Sequence, residues 1–183
     1  MVHIHITGAS GSGTTSLGRA LAEEMSVLHL DADDLFWLRT EPPYATPRNR
    51  DERIDLLLET ARPEPSWILS GSALTWGAKV EALFDLIVFL RTDPQLRNDR
   101  LRQREMARYG ARIQAGGDMV AKHKEFMDWA ARYDTAGPEQ RSLVAHEQWL
   151  VTQTCPVLRL DSSRPIADLV REIRRHPAMA GKT

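Results

Sequence analysis

The chain is short of lysine, has one cysteine, and contains no long hydrophobic run. A lone cysteine, Cys155, excludes an internal disulfide; it lies in TCPVLRL at the entry to a strand and reads as a small buried hydrophobe. No apolar stretch approaches the roughly 20 residues that a helix needs to cross a bilayer, and the first apolar segment follows no basic leader. A cytoplasmic protein with no membrane partner is predicted. Net charge is −1 and no basic binding motif stands out, so a nucleic-acid partner is not expected. The length of 183 residues suits one domain, 1–183, with a sizeable core. The four lysines stand against 20 arginines, many of them between Arg91 and Arg112. Arginine grips phosphate through a planar fork, whereas lysine acts as a point charge.

Short apolar runs alternate with longer amphipathic ones. Strands are predicted at 2–8, 27–31, 66–71, 85–91 and 155–161, and helices at 14–25, 47–62, 94–109, 118–134, 139–153 and 165–175. Five strands separated by helices imply an α/β fold with a parallel sheet covered on both faces. In such sheets ligands sit beyond the carboxyl ends of the strands. The long helical stretch between strands four and five therefore reads as a lid, at 97–134, and 35–63 as an acceptor-binding segment.

The first strand runs into GASGSGTTS. Gly8, Gly13 and Thr15 satisfy G-x-x-x-x-G-K-[ST] at every fixed position except one: Thr14 replaces lysine. Backbone N–H groups of Ser10, Gly11, Ser12, Gly13, Thr14, Thr15 and Ser16 can form a nest for phosphate at a helix start. The Thr15 hydroxyl is positioned to reach magnesium. Thr14 cannot supply a cation at the β- and γ-phosphates, a loss worth several kcal/mol in a dry site (about the cost of one oxyanion donor). Beyond the second strand, LHLDADD places Asp31 and Asp33 two residues apart, on one side of extended backbone. They stand where a γ-phosphate and an acceptor should meet. The pair resembles the Asp-x-Asp of shikimate- and gluconate-kinase-like enzymes, which implies that Asp31 serves as a metal and catalytic carboxylate and Asp33 orients or deprotonates an acceptor; for Asp33 or Asp34 a helix cap is an equal reading.

This stretch resembles the phosphate loops of nucleoside monophosphate kinases. The segments GASGSGTT, SGSALTWG, RLRQREMARYG, WAARYD and HEQWL together resemble a group of small bacterial proteins described as adenylate kinase-like or topology-modulation-protein-like P-loop ATPases. The resemblance implies a P-loop NTPase fold of nucleotide-kinase type with a helical lid, using ATP and magnesium. It implies transfer of the γ-phosphoryl to a small acceptor, first a nucleoside monophosphate as in adenylate or cytidylate kinases. The alternatives are a small hydroxylated metabolite, because Asp31-x-Asp33 is similar to the pair in shikimate and gluconate kinases, or a non-catalytic nucleotide-binding regulator. By the same resemblance, DRLRQRE matches the entry to an adenylate kinase lid, making Arg100 and Arg104 phosphate contacts and Arg132 their partner at the lid exit. Arg100 and Arg104 are then expected to replace the charge missing at Thr14, while Arg97 and Arg102 read as a solvated face. Arg48, with Arg39, Arg50 and Arg53, is expected to clamp an acceptor phosphate. Gly71 would admit a ligand closely; Trp76 reads as a wall of the acceptor pocket or, the commoner outcome, as core or lid packing. One departure is clear: strand three ends in Ser70-Gly71, where these kinases carry aspartate before glycine.

Overall fold

The computed structural model describes residues 1–181; Lys182 and Thr183, at the end of the predicted domain, lie outside the described residues. Five parallel strands, β1 (His3–Gly8), β2 (Leu28–Asp31), β3 (Trp67–Ser70), β4 (Leu86–Arg91) and β5 (Val157–Asp161), form one sheet in the order β2-β3-β1-β4-β5. Strand alternation splits the core in two. On one face Ile4, Ile6, Ile68, Val88 and Leu90 pack with Leu17 and Leu21 of α1 (Thr14–Met25) and Leu169 and Ile173 of α8 (Ile166–Arg175). On the other, Leu69, Ile87 and Phe89 meet Leu35 of α2 (Ala32–Phe36), Leu57 of α3 (Arg50–Ala61), Val80 of α4 (Ala78–Glu81) and Trp149 of α7 (Leu143–Leu150). Burial on both faces explains why LIVFLR reads as an unbroken apolar run.

The stretch after β4, where a lid is expected at 97–134, is built of α5 (Pro94–Tyr109), a 3-10 turn at 110–113, α6 (Val120–Ala131) and a second 3-10 turn at 132–134. Asp93 caps α5 by accepting from the Gln95 and Leu96 amides, with Pro94 in the first turn. The predicted helix 139–153 begins late, at Leu143. The Ser142 hydroxyl accepts from the Ala145 amide and donates to the Gly137 carbonyl at 2.7 Å, which holds residues 137–142 as a loop.

α5 is docked on the glycine loop. Gly11 sits at φ +83°, and a Cβ there would lie 2.7 Å from the Arg97 carbonyl oxygen and 2.8 Å from Leu101. Gly11→Ala is expected to cost about 2–4 kcal/mol, from left-handed strain plus overpacking against backbone. Chemical denaturation measures this; a loss below about 1 kcal/mol would mean that α5 yields instead.

Candidate functional site

The carboxyl ends of β1, β2 and β3 lie side by side and define one region, with Ile6 paired to Ser70 and Ser70 to Asp31. Gly8 ends β1 where a Cβ would meet Ser12 Oγ at 2.7 Å and the Leu90 carbonyl at 2.8 Å, so only glycine lets the loop fold back over β4. Gly13 precedes α1 in the left-handed region at φ +89°, has open space where a side chain would stand, and provides no side-chain cap. The first N–H groups of α1 are left for a ligand. The Ser12 hydroxyl is fully buried and has no hydrogen-bond partner among the described residues.

Thr15 and Asp31 come together as the sequence suggests: Thr15 Oγ1 donates to Asp31 Oδ2 at 2.9 Å. Asp31 Oδ1 also accepts the Asp33 amide at 3.0 Å, so Asp31, rather than Asp33 or Asp34, caps α2. A hydroxyl beside a carboxylate is a hard oxygen pair that suits magnesium, which takes one or two protein oxygens and completes its shell with water and phosphate. No group of three or more His, Cys, Asp or Glu suited to a metal occurs among the described residues. Asp33 stands open at the mouth of the region. The surrounding protein and the Asp31 carboxylate push its pKa up, while the guanidiniums of Arg141, Arg104 and Arg108 pull it back down.

The arginines depart furthest from expectation. Arg97 is no solvated residue: it is 1% exposed, donates to the Ala130 carbonyl and to Asp134 Oδ2 at 2.9 Å, and lies under the Tyr133 ring. It fastens α5 to the end of α6. Arg100 turns to the loop after β5, donating to Ser162 Oγ at 3.3 Å and the Ser162 carbonyl at 3.0 Å; its guanidinium is thereby withdrawn from the expected phosphate contact. Arg132 is exposed and its side chain makes no hydrogen bond or ion pair among the described residues. Arg104 does approach the site, held by Glu105 at 2.9 Å and by the Phe126 ring, and its charge reaches Asp33.

The acceptor segment is similarly corrected. Arg48 donates to the Leu35 carbonyl at 3.1 Å, Arg50 to the Trp76 carbonyl at 3.1 Å, and buried Arg53 lies over Phe36 and Trp76. These three build the segment and do not form a phosphate clamp. Trp76 is 1% exposed and belongs to the core, not to a pocket wall. At Gly71, φ +108°, a Cβ would stand 2.9 Å from Ala32 Cβ, so its freedom serves packing of β3 on α2. Ser70, at the place of the missing aspartate, bonds His29 Nε2 at 2.9 Å. The segment between α2 and α3 is strapped to the lid: Arg108 donates to Tyr44 Oη, Arg112 to Glu41 Oε1, and Lys122 Nζ to the Pro43 carbonyl.

One site residue is silent in the sequence. Arg141, on the loop before α7, donates from Nη2 to Ser10 Oγ of the phosphate loop, and its guanidinium lies 4.8 Å over the Trp129 ring. Behind the loop, His146 is fully buried, with Nε2 3.2 Å from Thr7 Oγ1 and Nδ1 2.9 Å from Tyr133 Oη. His5, also fully buried, has Nδ1 3.1 Å from the Leu69 carbonyl and stacks on Phe84.

A parallel sheet of order 2-3-1-4-5 with a glycine loop after β1 and a helical lid after β4 is the P-loop kinase-like fold. The chain belongs to the AAA-domain family, whose description matches residues 4–123. It is 40% identical over 171 residues to a Bacillus subtilis (strain 168) protein named the uncharacterized protein YqaC, covering 93% of this chain and 94% of the relative. Among solved structures, a shikimate kinase from Bacteroides thetaiotaomicron is similar at TM-score 0.56 and 20% identity, over 94% of this chain and 96% of its own. A shikimate kinase from Acinetobacter baumannii in complex with shikimate gives TM-score 0.57 at 14% identity, over 100% and 96%. A gluconokinase from Sinorhizobium meliloti 1021 gives 0.50 at 20%, over 98% and 90%. No described helix is long and apolar enough to cross a membrane.

Proposed function

We propose that this protein is a phosphotransferase that moves the γ-phosphoryl of ATP to a small acceptor, with magnesium. The observation that carries this reading is the Thr15–Asp31 contact at 2.9 Å beside the phosphate loop, with Asp33 two residues on. The uncapped start of α1, the open side of Gly13 and the unpartnered Ser12 hydroxyl fit bound phosphate. Thr15 and Asp31 would hold magnesium, which neutralises charge on the β- and γ-oxygens when bound. Asp33 takes the acceptor proton as the acceptor oxygen bonds to the γ-phosphorus and the bond to ADP breaks. A carboxyl with a raised pKa is a better base for that step than an ordinary surface aspartate.

The acceptor is a small molecule carrying a reactive oxygen, either a nucleoside monophosphate or a hydroxylated metabolite. A nucleoside monophosphate needs a second phosphate clamp. Arg48, Arg50 and Arg53 are engaged with backbone and rings, which leaves exposed Arg39 of the arginines expected there, so both acceptor classes enter the test. An ADP-release assay across nucleoside monophosphates and polyhydroxylated acids, including shikimate and gluconate, tests both, with ATP–magnesium binding measured in parallel. Turnover with any of them supports the phosphotransferase. Tight ATP binding with no turnover on the whole panel would instead favour a non-catalytic nucleotide-binding regulator.

A further inference from the structure

Resting on the ATP reading above, we propose that Arg141 supplies the positive charge missing at Thr14, holding the β- and γ-phosphates between the loop and its guanidinium, which the face of Trp129 backs.

Arg141 is the only arginine whose side chain hydrogen-bonds to the phosphate loop among the described residues, through Ser10 Oγ; the Arg97 stem packs beside Gly11 but turns its guanidinium to Asp134. Its setting is that of a cation prepared for an anion. The Nε atom is buried and has no partner, and no Asp or Glu stands within ion-pair distance among the described residues. Arg97 and Arg104 nearby each have a carboxylate, Asp134 and Glu105. Arg53 also lacks one, but it is spread over Phe36 and Trp76 and not over the loop. A guanidinium held out of water without a counter-ion is unfavourable unless a ligand brings one. Arg141 therefore keeps a buried donor, Nε, unsatisfied beside the phosphate loop.

The position is fixed by rigid neighbours. Trp129 on α6 supports the guanidinium at 4.8 Å, and Ser142, the next residue, caps α7 and bonds the Gly137 carbonyl. A loop lysine would arrive from α1; Arg141 arrives from the opposite wall and presents a fork, which matches phosphate oxygens in pairs. The Arg141 charge also reaches Asp33, so one guanidinium acts on both the phosphate loop and a carboxylate beyond β2.

Titration calorimetry with a non-hydrolysable ATP analogue, AMP and tripolyphosphate tests this on the full chain. Arg141→Ala is expected to weaken the ATP analogue and tripolyphosphate by 10- to 100-fold, by loss of charge-assisted bonds, and AMP by less than about threefold. Adding Thr14→Lys to that variant restores most of the loss, whereas Thr14→Lys in the parent gains little. If the alanine variant fails to fold, Arg141→Lys carries the test: it keeps the charge and loses the fork, and weakening of about 3- to 10-fold confined to the polyphosphates is expected. Equal weakening of AMP and the ATP analogue, or no weakening, overturns the inference. Arg141-dependent binding of tripolyphosphate without binding of any adenine nucleotide would uphold Arg141 and overturn the ATP reading.

Discussion

Asp31→Asn is expected to lower phosphoryl transfer by about 10²- to 10³-fold, the loss typical when a preorganised charge at the reacting group is removed, and to leave the fold nearly as stable as the parent. The two halves of this expectation come from the two oxygens of one carboxylate. Oδ1 accepts the Asp33 amide and caps α2; asparagine caps about as well as aspartate, so stability should change by less than about 1 kcal/mol. Oδ2 receives the Thr15 hydroxyl, and there the amide brings no charge to magnesium. ADP release at saturating acceptor, together with ATP affinity with and without magnesium, measures the effect. The variant should bind ATP with little magnesium dependence. Full turnover in Asp31→Asn would remove Asp31 from the metal site and leave it as a cap alone.

Acid should unfold the protein through two histidines. Burial lowers the pKa of His5 from 6.5 to about 4 and that of His146 from 6.5 to about 3. The carbonyl of Leu69 accepts from Nδ1 of His5, and Nε2 is left buried without a partner, so a second proton would place an unsatisfied N–H in the core. For His146, the nearby Arg141 charge adds to burial. The folded state binds fewer protons than the unfolded chain between these values and 6.5, so stability rises with pH across that window. The contribution is complete above about pH 6.5 and is lost as pH falls toward 4. At about pH 4.5 each histidine costs roughly 2.5 kcal/mol, at 1.36 kcal/mol per pKa unit. That is a large part of the 5–15 kcal/mol typical of folded domains. Urea unfolding at stepped pH should show the slope, and His146→Gln should flatten it by about one proton. An unchanged slope in that variant would show that His146 is protonated in the fold.

The sheet and the phosphate loop were legible because their signals are local. A branched run such as LIVFLR, or glycines spaced before Thr15, carries its own geometry. The arginines were not, because a guanidinium's role depends on what another element brings to it. The 3, 4, 4 spacing of Arg97, Arg100, Arg104 and Arg108 suggests one stripe, but the buried face of α5 runs through Arg97, Leu101 and Glu105, which takes Arg97 inside and divides the rest among different partners. Arg141 lacks any periodic cue. Its placement depends on Ser142 ending the loop, and Ser142 has no glutamate three residues on to mark a capping box. The surroundings of Gly71 and Trp76 are silent in the sequence for a related reason: Ala32 and Arg50, which occupy the space around them, come from distant parts of the chain.

The strap between the acceptor segment and the lid has a consequence for timing. Arg108 on Tyr44, Arg112 on Glu41 and Lys122 on Pro43 couple two bodies that many two-substrate enzymes move separately. On the phosphotransferase reading proposed above, that tether makes the arrival of an acceptor and the descent of a cover a single kinetic event, so that donor and acceptor are enclosed together.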